Sequence, residues 1–151
     1  MPPEFTNGLA RWMDKSTPLQ VVVADSGLEL KPGVVHLAPG SAHLGVTRHR
    51  DKILTRLMRE RGPHRHQPSV DVLFESVAQV CGSSAVGMIL TGMGDDGANG
   101  MLAMRQAGAV TFAQDEATCT VFGMPGAAIE RGGVDHVLSL SNLATTLARL
   151  I

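Results

Sequence analysis

The stretch from Ala85 to Gly100, AVGMILTGMGDDGANG, constrains this chain more than any other. Ala85 to Leu90 is an apolar run of the length of one buried strand. It stops at Thr91-Gly92, passes Met93-Gly94 and reaches the acidic pair Asp95-Asp96 before Gly97. Beyond it Ala98, Met101 and Leu102 fall on one face of a 3.6-residue period, which predicts a helix. Strand, glycine-rich turn and helix in that order make the carboxyl end of a strand, where open α/β sheets place their ligands. Glycine lets the backbone approach a ligand closely, and a carboxylate beside the amino end of a helix is favoured in its ionised form. Two readings of the acids stand side by side: ionised groups of a site, or plain caps of the helix that follows.

The flanking sequence supplies more units of the same kind. From Ser69, a candidate helix cap, the residues Val70, Leu73, Phe74, Val77, Ala78 and Cys81 repeat at helical spacing, and Gly82 is a stop. After the central unit Gly108 ends a helix and Val110–Ala113 reads as the next strand. Gln114–Cys119 is a polar connector, Met124-Pro125-Gly126 a break or helix start, and Val134–Leu138 a weak last strand. Leu140, Leu143, Ala144, Leu147, Ala148 and Ile151 give an amphipathic terminal helix. Upstream, Met1-Pro2-Pro3 predicts an extended or turn entry. Phe5, Leu9, Trp12 and Met13 then space as one face of a short helix that Pro18 ends. Leu19–Ala24 and Val34–Ala38 read as buried strands. His43–Thr47 and Ile53–Leu57 flank the charged run Arg48–Lys52 as a hairpin, and Arg59–Pro68 is the longest loop. Alternation of helix and strand from Ser69 onward predicts an α/β fold, doubly wound, with a mostly parallel sheet, helices on both faces and one antiparallel hairpin.

Composition narrows the partners. The 151 residues suffice for one domain with a real core. A formal net charge of -1 without a run of one sign leaves no footprint for nucleic acid or a membrane surface. No apolar run reaches membrane-spanning length and the start lacks a signal-peptide layout, so direct membrane insertion is not expected. Cys81 and Cys119 stand far apart and form no metal or redox motif, which points to a reduced, cytoplasmic setting.

Ligand and nucleophile motifs are sparse. His64 and His66 share a proline-bracketed loop and His49 lies in the hairpin tip, but no Cys or Glu joins them at ligand spacing, so no metal is assigned. His36 and His43 border strands, where a solvated or hydrogen-bonded histidine is the ordinary outcome. Ser83 and Ser84 precede a strand, the wrong end for a nucleophile elbow, and no G-x-S-x-G occurs. The turn Gly92–Gly97 lacks the Lys-Ser/Thr of a phosphate loop, and its acids would repel phosphate. From the residues alone the site is a strand-end carboxylate without a base or nucleophile.

The block LTGMGDDGANGMLAM, then Gln106-Ala107-Gly108 and AQDEATCTVFGMP, resembles the catalytic domain of the chemotaxis protein-glutamate methylesterases. QPSVDVLF at Gln67–Phe74 and HLAPG at His36–Gly40 match as well, so the likeness covers essentially all of residues 1–151. The resemblance implies a doubly wound α/β fold, a Ser-His-Asp triad and no cofactor. The implied reaction is hydrolysis of glutamate methyl esters on the cytoplasmic helices of chemoreceptors, with deamidation of receptor glutamines in some members. Asp96 falls at the triad aspartate, and Met93 where a backbone N–H is suspected to help an oxyanion. Thr91 and Gly94 line the same turn. Asp95 falls where the family varies and receives no role.

The family's serine lies in a G-x-S-x-G-G turn, and its histidine immediately precedes a Met-Pro-Pro-like segment such as Met1-Pro2-Pro3. Neither His36 nor His43 matches that histidine. The expectation is therefore a methylesterase-like catalytic domain over residues 1–151, incomplete at its amino terminus, without a receiver domain and inactive alone. A second expectation is a remnant that still binds a receptor helix bundle or a receiver domain, and a third is a nucleotide-binding α/β domain using the Gly92–Gly97 turn. An unpaired sheet edge would favour poor solubility or oligomers, which a monodisperse monomer in solution would contradict.

Overall fold

The computed structural model describes residues 3–60 and 62–150. It divides into two compact units, 1–69 and 70–151, each taken here by itself. The first unit opens with α1, Pro3–Ser16. Proline fits the first turn of a helix, where its missing N–H is no loss. The extended entry expected at Met1-Pro2 lies outside the described residues. The helix lies against β1 (Gln20–Val23), and its Asp14 Oδ1 accepts the Val21 N–H at 2.8 Å. Its buried residues are Thr6 and Ala10, while Phe5 and Trp12 are 64% and 66% exposed. Of the apolar face expected from Phe5, Leu9, Trp12 and Met13, Leu9 and Met13 are half-buried and the two aromatics are exposed. Small residues allow α1 to lie close to β1, and the aromatics stay outside.

Strand β1 pairs in parallel with β2, Val34–Leu37, from Gln20 opposite Val34 to Val23 opposite Leu37. The hairpin is longer at its tip than expected: β3 (His43–His49) and β4 (Lys52–Met58) pair antiparallel up to His49 opposite Lys52. Arg50, at φ 55°, and Asp51 make the turn. Residues 27–30, between the two expected strands, run along β4, with Gly27 N–H on Thr55 O at 2.8 Å and Leu30 N–H on Ile53 O at 2.9 Å. Thr55, 2% exposed, donates its hydroxyl to Asp25 O and accepts Leu28 N–H at 3.0 Å. The loop expected over Arg59–Pro68 carries no helix or strand among its described residues, with Arg61 outside them.

The second unit follows the expected alternation. In order come α2 (Val70–Cys81), β5 (Val86–Ile89), α3 (Ala98–Gln106), β6 (Val110–Gln114), α4 (Met124–Glu130), β7 (His136–Leu138) and α5 (Leu140–Leu150). Short 3-10 turns at Gly82–Ser84 and Glu116–Thr118 link α2 to β5 and β6 to α4. The strands form a parallel sheet in the order β5-β6-β7. In β6, Thr111, Phe112, Ala113 and Gln114 are all buried, as in a central strand covered on both faces. Ile89 and Ala113 pack with Ala98, Met101 and Ala128, so α3 and α4 cover one face. A Cβ at Gly87 would lie 3.0 Å from Met104 Sδ, so the methionines of α3 pack tightly on the strand there. Parallel sheets flanked by helices, with one antiparallel hairpin, make this an α/β protein.

One carboxylate ties α3 to the sheet. Asp135 Oδ2 accepts the Thr111 N–H at 3.0 Å and its hydroxyl at 2.9 Å, and Oδ1 accepts Arg105 Nε at 2.7 Å. Burial pushes the Asp135 carboxyl up, but the Thr111 hydrogen bonds and the Arg105 guanidinium outweigh it and hold the group below its ordinary 3.8. A depressed folded-state value means stability that is present above the unfolded value and lost as pH falls through the folded one. Acid titration followed by urea melts is expected to show that loss below about pH 4, with a shallower loss in Asp135→Asn.

Candidate active site

The carboxyl end of β5 is fixed from three sides. Thr91 donates its N–H to Gln114 Oε1 at 2.9 Å. Its hydroxyl donates to Val121 O at 3.1 Å and accepts Val121 N–H at 2.9 Å. Gly92 N–H reaches Val121 O at 3.1 Å, and Gly92 O accepts the N–H groups of Gly123 and Met124 at 3.1 and 2.9 Å. The strip 121–124 therefore continues the pairing beyond the strand, with Gly92 opposite Phe122. Glycine is needed at 123, because a Cβ there would stand 2.7 Å from Gly92 O and 2.9 Å from Gly94 N. Thr91 is thereby a clamp whose N–H and hydroxyl already have partners within the fold.

Gln114 is the centre of this clamp. It is 1% exposed, and its Nε2 donates to Thr118 O at 2.7 Å while its Oε1 holds Thr91. The sequence placed Gln114 at the start of a polar connector, but it is the last residue of β6. Gln114→Leu keeps the bulk and removes both bonds, leaving the Thr91 N–H and the Thr118 carbonyl unpaired. A loss of about 2 kcal/mol is expected in denaturant melts.

Asp96 does not cap the helix that follows it. The residue at that cap is Gly97, at φ 95°, with no side-chain bond to the helix. Asp96 instead reaches across to α2, where Oδ2 accepts Val70 N–H at 2.8 Å and Oδ1 accepts Asp71 N–H at 3.2 Å. The reading of Asp96 as a cap of the helix that follows it is therefore overturned, and the helix start it holds is that of α2. Asp71 answers in kind, accepting Gly100 N–H on α3 at 2.8 Å and Asn99 Nδ2 at 3.4 Å. Each helix start is capped by a carboxylate belonging to the other segment. The exchange needs close approach, and glycine provides it. A Cβ at Gly100 would fall 2.6 Å from Phe74 Cβ, and one at Gly97 would fall 2.7 Å from Val70 Cγ1.

Between the clamp and Asp96 the turn stands out from the fold. Met93 is 85% exposed, and no described residue accepts its N–H. Gly94 is exposed at φ 89°. Asp95 is anchored by Arg131 at the end of α4, with Nη2 on Oδ2 at 2.8 Å. The turn so far brings together Thr91, Met93, Gly94 and Asp96, while Gln114, Asp71 and Arg131 support it from other elements. Those three had no signal in the sequence, because each acts across twenty or more residues.

Other nucleophile and base candidates fall away on inspection. Cys119 borders the clamp, its Sγ 3.9 Å from Gln114 O. Burial pushes its thiol up, against a hydrogen bond with Thr91, and Asp115 and Glu116 push it further, so the thiolate is disfavoured. In the first unit His43 is 2% exposed, accepts Ser69 N–H on Nδ1 at 3.1 Å and meets the edge of His64 at 5.5 Å. Both ring nitrogens of His36 are buried without a partner. Among the described residues no group of three metal-ligating side chains converges, and no helix is long and apolar enough to cross a membrane.

Comparison with known proteins bears on the family and the fold. Residues 1–147 match the family model described as CheB methylesterase. A protein-glutamate methylesterase/protein-glutamine glutaminase 1 of Burkholderia pseudomallei (strain 1710b) is 50% identical over 151 residues, covering 99% of this chain and 42% of that protein. The corresponding protein of Escherichia coli (strain K12) is 49% identical over 144 residues, covering 95% of this chain and 41% of its own length. The chain thus spans about two-fifths of the curated relatives it matches. The crystal structure of the Thermotoga maritima CheB methylesterase catalytic domain superposes with a TM-score of 0.94 at 38% identity, covering 100% of this chain and 80% of that one.

Proposed function

This chain belongs to the CheB methylesterase family, and on that premise we propose that it carries the acidic member, Asp96, of a Ser-His-Asp triad that hydrolyses glutamate methyl esters on chemoreceptors. The observation that carries the reading is the Asp96 carboxylate, held by two backbone N–H groups at the start of α2 beside an exposed turn. In such a triad the aspartate orients the histidine tautomer and stabilises the imidazolium formed as serine attacks the ester carbonyl. A carboxylate offers roughly four acceptor positions, and α2 takes two of them in a fixed geometry. The Met93 N–H is the oxyanion donor of this proposal, with Gly94 giving the turn its shape and Thr91 anchoring it. Methanol leaves, the histidine returns the proton, and water releases the glutamate. Attack on a receptor glutamine in the same way would release ammonia.

No residue among 1–151 takes the serine or histidine position of the family, so the chain alone is expected to be inactive. Its setting is the cytoplasm, its substrate the cytoplasmic helices of a methylated receptor, and a receiver domain is a candidate regulator. The test is a hybrid in which the segment of the Escherichia coli relative bearing its G-x-S-x-G-G turn and histidine precedes Met1. Methanol release from methylated receptor by the hybrid supports the proposal. A folded hybrid without turnover that still captures receptor supports the binding-module reading instead.

A further inference from the structure

We propose that Asp71 is the positioning residue for Asp96, an inference that rests on Asp96 being the acidic member of the triad. The two carboxylates are exchanged between helix starts. Asp96, on the turn before α3, holds the first N–H groups of α2, while Asp71, in the first turn of α2, holds the Gly100 N–H of α3. Asp96 is joined to α2 by two of these bonds, and Gly97, between it and α3, is a left-handed residue without a side chain. The direction of Asp96 therefore depends on how α3 is seated on α2. At that contact Gly100 lies directly against Phe74 and the Asp71 backbone, and the Asp71–Gly100 bond is its shorter polar tie, with Asn99 Nδ2 on the other Asp71 oxygen. The Asp95–Arg131 pair also ties the turn. Its side chains are 61% and 36% exposed, so water and salt weaken it.

Removing the Asp71 carboxylate leaves its backbone N–H in place. A change at Asp96 in such a variant must come from the altered seating of α3. Asn at 71 keeps a side-chain oxygen for the Gly100 N–H, so it should restore the geometry despite losing the charge.

The experiment is amide hydrogen exchange by NMR on the 151-residue chain. Asp71→Ala is expected to speed exchange at the backbone N–H groups of residues 70 and 71 by about fivefold or more, and Asp71→Asn to stay within about twofold of the parent. Unchanged exchange at 70 and 71 in Asp71→Ala overturns the proposal, as does an Asn variant as fast as the Ala variant. Should Asp71→Ala not fold, Asp71→Ser, whose hydroxyl is one bond short of Gly100, replaces it with the same two outcomes. In the hybrid enzyme the same substitution is expected to lower kcat at unchanged KM, with Asn restoring it. The exchange result needs no catalysis, so it stands or falls separately from the triad. A hybrid whose activity survives Asp96→Asn defeats the triad reading and leaves the exchange result intact.

Discussion

Asp96→Asn in the hybrid enzyme is expected to lower kcat by roughly 10⁴-fold, the size of effect seen when a triad aspartate becomes an amide. The amide cannot stabilise an imidazolium, and it favours the wrong histidine tautomer. The surroundings of Asp96 add a second reason. Its Oδ2 and Oδ1 accept from the N–H groups of Val70 and Asp71. An asparagine must turn its NH₂ toward one of them, so one helix-start N–H loses its acceptor and the side chain rotates away from the opposing pair. A stability loss of about 1 kcal/mol accompanies this, too small to explain a 10⁴-fold fall in rate by unfolding. Urea melts beside the kinetics separate the two effects.

Gly123→Ala is expected to lower folding stability by about 3 kcal/mol. At Gly92 and Gly97 an added Cβ would meet the Met124 and Val70 side chains, which can shift. At Gly123 the atoms in the way are the Gly92 oxygen and the Gly94 nitrogen and oxygen, all backbone. Neither strip can yield without breaking bonds, since Gly92 O already accepts from Gly123 and Met124. The added methyl must push the Met93 turn away from the strip 121–124, which separates the oxyanion donor from its anchor. The hybrid carrying Gly123→Ala is therefore expected to lose kcat as well as stability. Thermal melts of the 151-residue chain check the first part without any assay. A variant with unchanged midpoint would mean that the strip is looser than its bonds indicate.

Much of the framework was legible because it follows from local rules. The helical spacing from Val70 to Cys81 and from Leu140 onward, and the strand-turn-helix at Ala85–Gly100, rest on periodicity and glycine punctuation. Asp96 and Met93 were legible only as members of a motif, since nothing in their spacing says what they face. The errors share a cause. On α1 hydrophobicity favours Phe5 and Trp12 for burial, whereas the residues buried are Thr6 and Ala10. Residues 27–30 pair with β4 on backbone bonds that carry no side-chain signature. The helix that Asp96 caps begins twenty-six residues before it, beyond the reach of any local capping rule. Gln114 and Asp71 escaped notice for the same reason. Each is a polar residue whose partner is defined only once the sheet has formed.

The central claim is that residues 1–151 hold one member of a triad, and methanol release from a methylated receptor by the purified chain tests it most directly. The account predicts no release above the buffer rate from the chain itself. Turnover by the chain that disappears in Asp96→Asn would contradict it, because the nucleophile and the base would then have to lie within these 151 residues.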